Sequence, residues 1–252
     1  MALPTSAGEG KPPTPDAIGK AQKLVRAYPD QLAGIEGNAL VWKDGARMTI
    51  DDGNESKDFA DLLKAPDIKD QFALPYTPGP SKAAPRENFD PGRFRNEAFF
   101  TKMYGDCSTG EAQKNLVEID WLPRKGGGKL RVTTVNGIDR KLKAVSEELD
   151  ALPHELTKYL VPSAGAYNCR KIAGMSARSM HSYGAAIDIS ADESDYWRWA
   201  KPDADGHYPY RNRIPFEIVR IFEKHGFIWG GKWYHYDTMH FEYRPELIDA
   251  RP

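Results

Sequence analysis

The stretch SMHSYGAAIDIS, residues 179–190, passes from a loop into a strand, and its reading decides the fold class. His181 and Asp188 stand seven residues apart, a spacing that would put them on one face of a helix. Gly184 interrupts helix formation, however, and Ile187 and Ile189 flank Asp188 with period two, the mark of a strand. On such a strand the two isoleucines face a core. Ala186, Asp188 and Ser190 face the other way, into a cleft. A carboxylate set between buried isoleucines is costly unless something neutralises it, and a metal ion would. MHFEY, residues 239–243, repeats the pattern: Met239, Phe241 and Tyr243 make one apolar face, and His240 and Glu242 point to the other. If the two strands pair, His240 and Asp188 converge on one ion. Asp237, in the turn feeding the second strand, then reaches the same place without being a ligand. Zinc in hydrolytic sites takes three His or carboxylate ligands and keeps one position open, with a nearby carboxylate for proton transfer.

Outward from this pair, the chain mixes helix and strand signals. The spacing predicts helices over Asp16–Ala27, Asp58–Leu63, Asp139–Leu152 and Ile214–His225, and another in NEAFFTKMYG stopped by Gly105. GIEG, ALVWKDG and RMTI read as a small β-meander, and VEIDWLP and KLRVTTV as two strands around the RKGGG turn. AGAYNCRKIAG reads as extended, and FIWGG and MHFEY as the last strands. The expected class is therefore α+β, an antiparallel sheet with flanking helices. Residues 75–94 hold several prolines and read either as a linker or as a strap across the surface. This divides the chain into an N-terminal extension, 1–90, and a catalytic domain, 91–252. The extension comprises a disordered lead-in over 1–15, a helix, the meander and the proline-rich stretch.

A net charge of −1 over 252 residues, without a basic stripe, argues against nucleic acid or an anionic membrane as partner. No run approaches the ~20 apolar residues of a membrane helix. Met1–Pro15 lacks a secretory apolar segment, so the protein is either cytoplasmic or exported with its leader already removed. Cys107 and Cys169 are either two unrelated thiols or one disulfide, and they lack the C-x-x-C spacing of a zinc pair. His225 and His235 are alternative ligands on paper, although His225 suits a helix C-terminus. The H-E-x-x-H helix is absent.

Ser179, His181, Gly184, Ala186 and Asp188 fit S-x-H-x-x-G-x-A-x-D at every fixed position, and Asp237 and His240 fit a later [DE]-x-x-H element. Over roughly residues 160–245 the chain resembles peptidase family M15, the zinc D-Ala-D-Ala carboxypeptidases and L-alanyl-D-glutamate endopeptidases. The resemblance implies a hedgehog/DD-peptidase-like fold, Zn2+ held by His181, Asp188 and His240, and Asp237 as general base toward the metal's water. Many relatives carry Glu at that last place. It implies Arg170 as the upstream arginine, stabilising an oxyanion or pairing with a substrate carboxylate. Ser179 is expected to bind substrate or orient the His181 loop, with Tyr167, Trp229 and Tyr236 lining the cleft. The implied reaction is hydrolysis of peptide bonds in peptidoglycan stem peptides, by a monomeric periplasmic or secreted enzyme whose partners are peptidoglycan peptides. Two other classes compete: a non-catalytic zinc-bearing module that binds cell wall or protein, and a metal-free interaction protein.

Overall fold

The computed structural model describes residues 12–81, 83–172 and 177–248. The lead-in expected to be disordered lies, up to Lys11, outside the described residues. Helix α1 (Pro15–Ala27) begins one residue before the expected Asp16, because Thr14 accepts a hydrogen bond from Ala17 N and Pro15 occupies the first turn. It buries Ala17, Ala21 and Leu24. Strands β1 (Leu32–Glu36), β2 (Ala39–Trp42) and β3 (Arg47–Thr49) form the antiparallel meander. The short helix α2 (Phe59–Lys64) is capped by Asp58.

Helix α3 (Glu97–Tyr104) starts at its Asn96 cap, ends at Gly105, and buries Phe99, Phe100, Met103 and Tyr104. Strands β4 (Leu116–Asp120) and β5 (Lys129–Thr133) pair as a hairpin, Asp120 opposite Lys129. Helix α4 (Ile138–Asp150) packs on that hairpin. Strand β6 (Ala186–Asp188) follows the 3-10 turn Met180–Tyr183. The expected helix from Ile214 starts two residues later, as α5 (Phe216–Lys224), because Ile214 precedes Pro215 and is pushed towards extended backbone. Strand β7 (Phe227–Trp229), strand β8 (His240–Tyr243) and the short helix α6 (Pro245–Ile248) complete the described chain.

The class is α+β, but the strands do not join into one sheet. Among the described residues they form three antiparallel sheets: the meander, the hairpin, and a C-terminal sheet in the order β6-β8-β7. Of the segment read as extended before the motif, the described residues 164–172 make only isolated bridges, Gly165 with Asp188 and Lys171 with Arg178, and form a loop rather than a strand.

One apolar core runs from α1 through α3, the hairpin and α4 to the C-terminal sheet. Phe222 of α5 stacks on Phe241 of β8 at 3.8 Å between ring centroids. Gly184 closes the turn before β6 in a left-handed conformation, φ +66°, and a Cβ there would lie 2.6 Å from Leu116 Cδ2 and 2.9 Å from Thr133 N. The turn is thus pressed against the hairpin, and only glycine permits that approach.

The proline-rich stretch 75–94 lies against the body as a strap. Lys232 Nζ donates to Thr77 O and Gly79 O, each at 2.7 Å, and Tyr76 OH donates to Glu223 at 2.7 Å. Trp233 Nε1 donates to Pro91 O at 2.7 Å, and His235 Nδ1 meets Asp90 Oδ2 at 2.6 Å. Tyr76, Ile228, Trp233 and Leu247 make a small apolar cluster beneath it. Prolines supply few donors, so the strap is held chiefly through its carbonyls and by groups from the C-terminal half.

Candidate metal centre

In the C-terminal sheet Asp188 pairs directly with His240; Ile187 and Ile189 are fully buried as expected, but Ala186 and Ser190 are buried too, so of the face expected to line the cleft only Asp188 borders it. The pairing brings His240 Nδ1 to 2.9 Å from Asp188 Oδ1. His181 comes from the 3-10 turn, whose start is capped by Ser179, and its Nε2 lies 3.1 Å from Asp188 Oδ1 and 3.1 Å from His240 Nδ1. Three potential ligand atoms thus converge from two strands and a turn.

The remote nitrogens of the two imidazoles define what those atoms can do. His181 Nδ1 lies 2.6 Å from Ala166 O, and a carbonyl can only accept, so the proton sits on Nδ1 and the Nε2 lone pair points inward. His240 Nε2 lies 3.0 Å from Glu242 Oε2, which leaves the Nδ1 lone pair pointing inward. Two lone pairs and a carboxylate oxygen therefore face one another, an arrangement that needs a cation at its centre. Without a metal, a proton must serve. Burial lowers the His240 pKa, but the hydrogen bonds and charges of Asp188 and Glu242 outweigh it and raise the value to about 9. Burial pushes Asp188 up, but the adjacent His181 and His240 prevail and hold it well below the usual carboxylate range. Zinc–nitrogen bonds of 2.0–2.1 Å in a tetrahedron place ligand atoms about 3.3 Å apart. The observed spacings are close to that, so these residues fit the ion and could hold it.

Glu242 is itself fully buried and cannot serve a cleft. Arg95 pairs with both of its oxygens, and Arg244 Nη1 reaches Oε1 at 3.3 Å. Arg244 in turn donates to Glu246 at 2.6 Å, and Glu246 accepts from Tyr28 OH at 2.6 Å. A buried chain of alternating charge thus runs from α1 to the back of His240. The position of Glu242, two residues after His240 on the same strand face, is readable in the sequence. Its partner Arg95, 147 residues away, is not.

On the open side lies a cleft of about 310 Å³, bordered by Asp188, His240, Asp237, Arg170, Ser179 and Arg93 among others. Asp237 Oδ1 is buried and has no hydrogen-bond partner among the described residues. Burial, and next the charge of Asp188, push the Asp237 carboxyl up to about 6. A bridge to Tyr196 and the bond from Asp237 N to Gly230 O hold its backbone. Arg170 borders the same cleft on a loop latched to the His181 turn: Arg170 N donates to Ser182 Oγ at 3.0 Å, and Ser182 Oγ donates to Arg170 O at 2.7 Å.

Cys107 and Cys169 form a disulfide. It fastens the residue beside Arg170 to the loop after α3. Closing a loop with a separation of 62 residues restricts the unfolded chain by about 4 kcal/mol. The double variant Cys107→Ser/Cys169→Ser is therefore expected to lose about that much stability in urea titrations, and to show faster backbone exchange at residues 168–171. Unchanged exchange there would mean that the Ser182 latch suffices alone.

Other expected members do not join the cleft. Tyr236 is buried with its OH donating to Pro209 O, and Trp229 is buried with Nε1 donating to Thr238 O at 2.9 Å. Tyr167 packs its ring against Arg131 rather than along the cleft. Each aromatic is used as core or wall packing, the commoner fate of such residues near strands. His225 pairs with Glu148 at the end of α5, and His235 with Asp90, and neither borders the cleft or joins the converging ligand atoms. The sequence reading missed Arg93, Trp233 and Tyr196, which also border the cleft. A second group of close carboxylates, Asp51, Asp52 and Asp67, is already served by Lys57 and Lys69.

No helix among the described residues is long and apolar enough to cross a membrane. No curated protein and no solved structure matches the chain. Residues 173–243 match the profile of a peptidase family described as D-alanyl-D-alanine carboxypeptidase, which supports a peptidase of carboxypeptidase type acting on peptide substrates. His181, Asp188, His240 and Asp237 all come from the matched stretch, and the match supports a likeness of this part of the chain to the M15 peptidase family.

Proposed function

We propose that the protein is a zinc-dependent peptidase that hydrolyses peptide bonds in peptidoglycan stem peptides, as a D,D-carboxypeptidase or an L-Ala–D-Glu endopeptidase. The observation that carries this reading is the inward-facing donor set, His181 Nε2, Asp188 Oδ1 and His240 Nδ1 within 3.1 Å of one another, beside an unpartnered Asp237 oxygen. Zinc held there supplies Lewis acidity, which polarises a carbonyl and lowers the pKa of a water to about 7. Asp237 takes the proton of the attacking water and later delivers it to the leaving amine. Burial and the charge of Asp188 raise its affinity for a proton, which favours taking one up from the water. Arg170 donates to the carbonyl oxygen as negative charge develops on it. Ser179 caps the His181 turn and keeps Nε2 aimed at the cleft.

Residues 91–252 carry the chemistry in this reading, and residues 1–90 brace it through α1 and the strap. The disulfide suits an oxidising compartment, which supports a periplasmic or secreted location.

The deciding test combines a metal assay on the purified protein with mass spectrometry of muropeptides after incubation. One zinc per chain and loss of a terminal D-Ala, or a cut between L-Ala and D-Glu, is expected. His240→Ala should lose both metal and cleavage. Stoichiometric zinc with intact muropeptides would reassign the protein as a non-catalytic binding module.

A further inference from the structure

Tyr196 borders the cleft with Asp188, Asp237 and His240, yet it has no part in the steps given to Asp237 and Arg170. Its backbone forms an antiparallel bridge with Asp237. Residues directly opposite in an antiparallel pair carry their Cβ atoms on the same face, about 4.5–5.5 Å apart. The phenol and the Asp237 carboxyl therefore rise side by side from one ledge of the cleft. Their proximity also shows in the phenol's acidity: burial raises the Tyr196 pKa, and the charge of Asp237 raises it further. Asp237 Oδ1 nonetheless takes no hydrogen bond from the phenol or from any other described residue.

The phenol is fixed from behind. Its ring meets Trp197 edge-on at 6.2 Å and Trp199 edge-on at 5.7 Å between centroids. Trp197 is wedged in turn against Tyr208 and His235, each at 4.7 Å. The backbone on either side is pinned, with Trp197 N donating to Tyr236 O at 2.9 Å and Thr238 N to Asp195 O at 3.0 Å. The Trp197 side chain also donates a hydrogen bond to the Tyr196 hydroxyl. An indole N–H can only donate, so it occupies a lone pair of that oxygen and leaves the phenol's own proton to be given. Tyr196 is thus a preorganised donor beside Asp237.

We propose that Tyr196 donates a hydrogen bond to the scissile carbonyl oxygen as that oxygen becomes negatively charged, stabilising the tetrahedral intermediate from the Asp237 side of the cleft. This rests on reading the cleft as a peptidase site. A fixed donor aimed at a charge that forms only during the reaction lowers the barrier without tightening the binding of substrate. A neutral phenol also adds no positive charge beside the candidate metal centre. Its proton is shared and not transferred, so Asp237 remains the group that takes the water's proton and returns it to the amine. In the competing role Tyr196 only positions Asp237, and the hydroxyl makes no contact with the intermediate.

The test uses the full-length, zinc-loaded protein, N-acetylated peptides ending in D-Ala-D-Ala or L-Ala-γ-D-Glu, and the phosphinate analogue of each. A phosphinate carries charged oxygens on a tetrahedral centre but a methylene in place of the leaving nitrogen. Its affinity, read by calorimetry, therefore reports contacts to the oxyanion and not proton delivery to the amine. Tyr196→Phe keeps both ring contacts and removes only the hydroxyl. On whichever peptide is cleaved, it is expected to lower kcat about 100-fold and affinity for the matching phosphinate about 10- to 100-fold, with KM and zinc content within about twofold of native. If Tyr196→Phe does not fold, Trp197→Phe decides: without the indole N–H the hydroxyl loses its aim, and kcat and phosphinate affinity should both fall several-fold. Native phosphinate affinity in the variant overturns the proposal, and if kcat has fallen it gives Tyr196 the positioning of Asp237 instead. An equal loss of affinity for substrate and phosphinate also overturns it, since the contact would then be made in the ground state. A native protein that cleaves neither peptide and binds neither phosphinate sinks the peptidase reading along with the proposal, whereas native cleavage with an indifferent Tyr196→Phe sinks the proposal alone.

Discussion

Asp237→Asn is expected to lower kcat by a factor on the order of 10³ while leaving zinc content unchanged and raising the melting temperature of the metal-free protein. The first effect follows from removing the carboxylate that, among the described residues, lines the cleft beside the triad without being one of its converging ligand atoms. The second follows because Asp237 is not among the three converging ligand atoms. The third is a matter of sign. Burial and the charge of Asp188 raise the folded pKa of Asp237 to about 6, against 3.8 ordinarily. Between those values the folded state binds more protons than the unfolded state, so stability falls as pH rises through that window, and the deficit persists above it. Asparagine removes the deficit, for a gain of about 3 kcal/mol at pH 8 that vanishes below pH 4. Activity carries the opposite sign, because the base form is needed: kcat/KM should climb to a plateau with its acid limb at or below about pH 6. Thermal melts at pH 4 and pH 8, with steady-state rates and metal analysis, check all three effects. An Asp237→Asn protein with native turnover would move the proton transfer to another group.

Glu242→Ala is expected to damage the centre from behind. The variant leaves Arg95 and Arg244 buried without the carboxylate between them, a loss of about 3–5 kcal/mol in stability. It also frees the Nε2 of His240, so that the ring no longer has to present Nδ1 to the cleft. Metal affinity should fall roughly 10- to 100-fold, as it does when the outer partner of a metal-bound histidine is removed. Glu242→Gln keeps an acceptor for His240 but not the charge opposite the two arginines. It is therefore expected to retain more zinc affinity than stability. Chelator competition and urea titration of the metal-free protein separate the two losses. Native affinity in Glu242→Ala would show that packing against Trp233, 5.5 Å away between ring centroids, orients His240 unaided.

The charge chain behind Glu242 also gives residues 1–90 a part in the centre. Tyr28, at the end of α1, reaches Glu246, which holds Arg244, which faces Glu242. The strap adds Gly92 O to the same arginine. The chain before residue 90 is thus joined by buried hydrogen bonds to the carboxylate behind His240.

The alternation around Asp188 and His240 was legible in the sequence because strand periodicity is local: two residues on either side decide which way a side chain points. The break at Gly184 is local for the same reason, as is the α+β class that follows from mixed periodicities. The triad could be proposed from spacing because its members sit on, or just before, strands whose apolar faces fix their direction. The sequence could not show that β6 and β8 pair in the register that sets Asp188 against His240, that the cysteines join, or that the strands divide into three sheets. Nor could it show that Tyr236 and Trp229 turn into the core while Arg93 and Trp233 come to the cleft. Those outcomes depend on contacts between residues far apart in the chain, such as Arg95 with Glu242 at 147 positions and Tyr28 with Glu246 at 218. Buried charges find partners wherever packing brings them, and only the assembled tertiary structure specifies that.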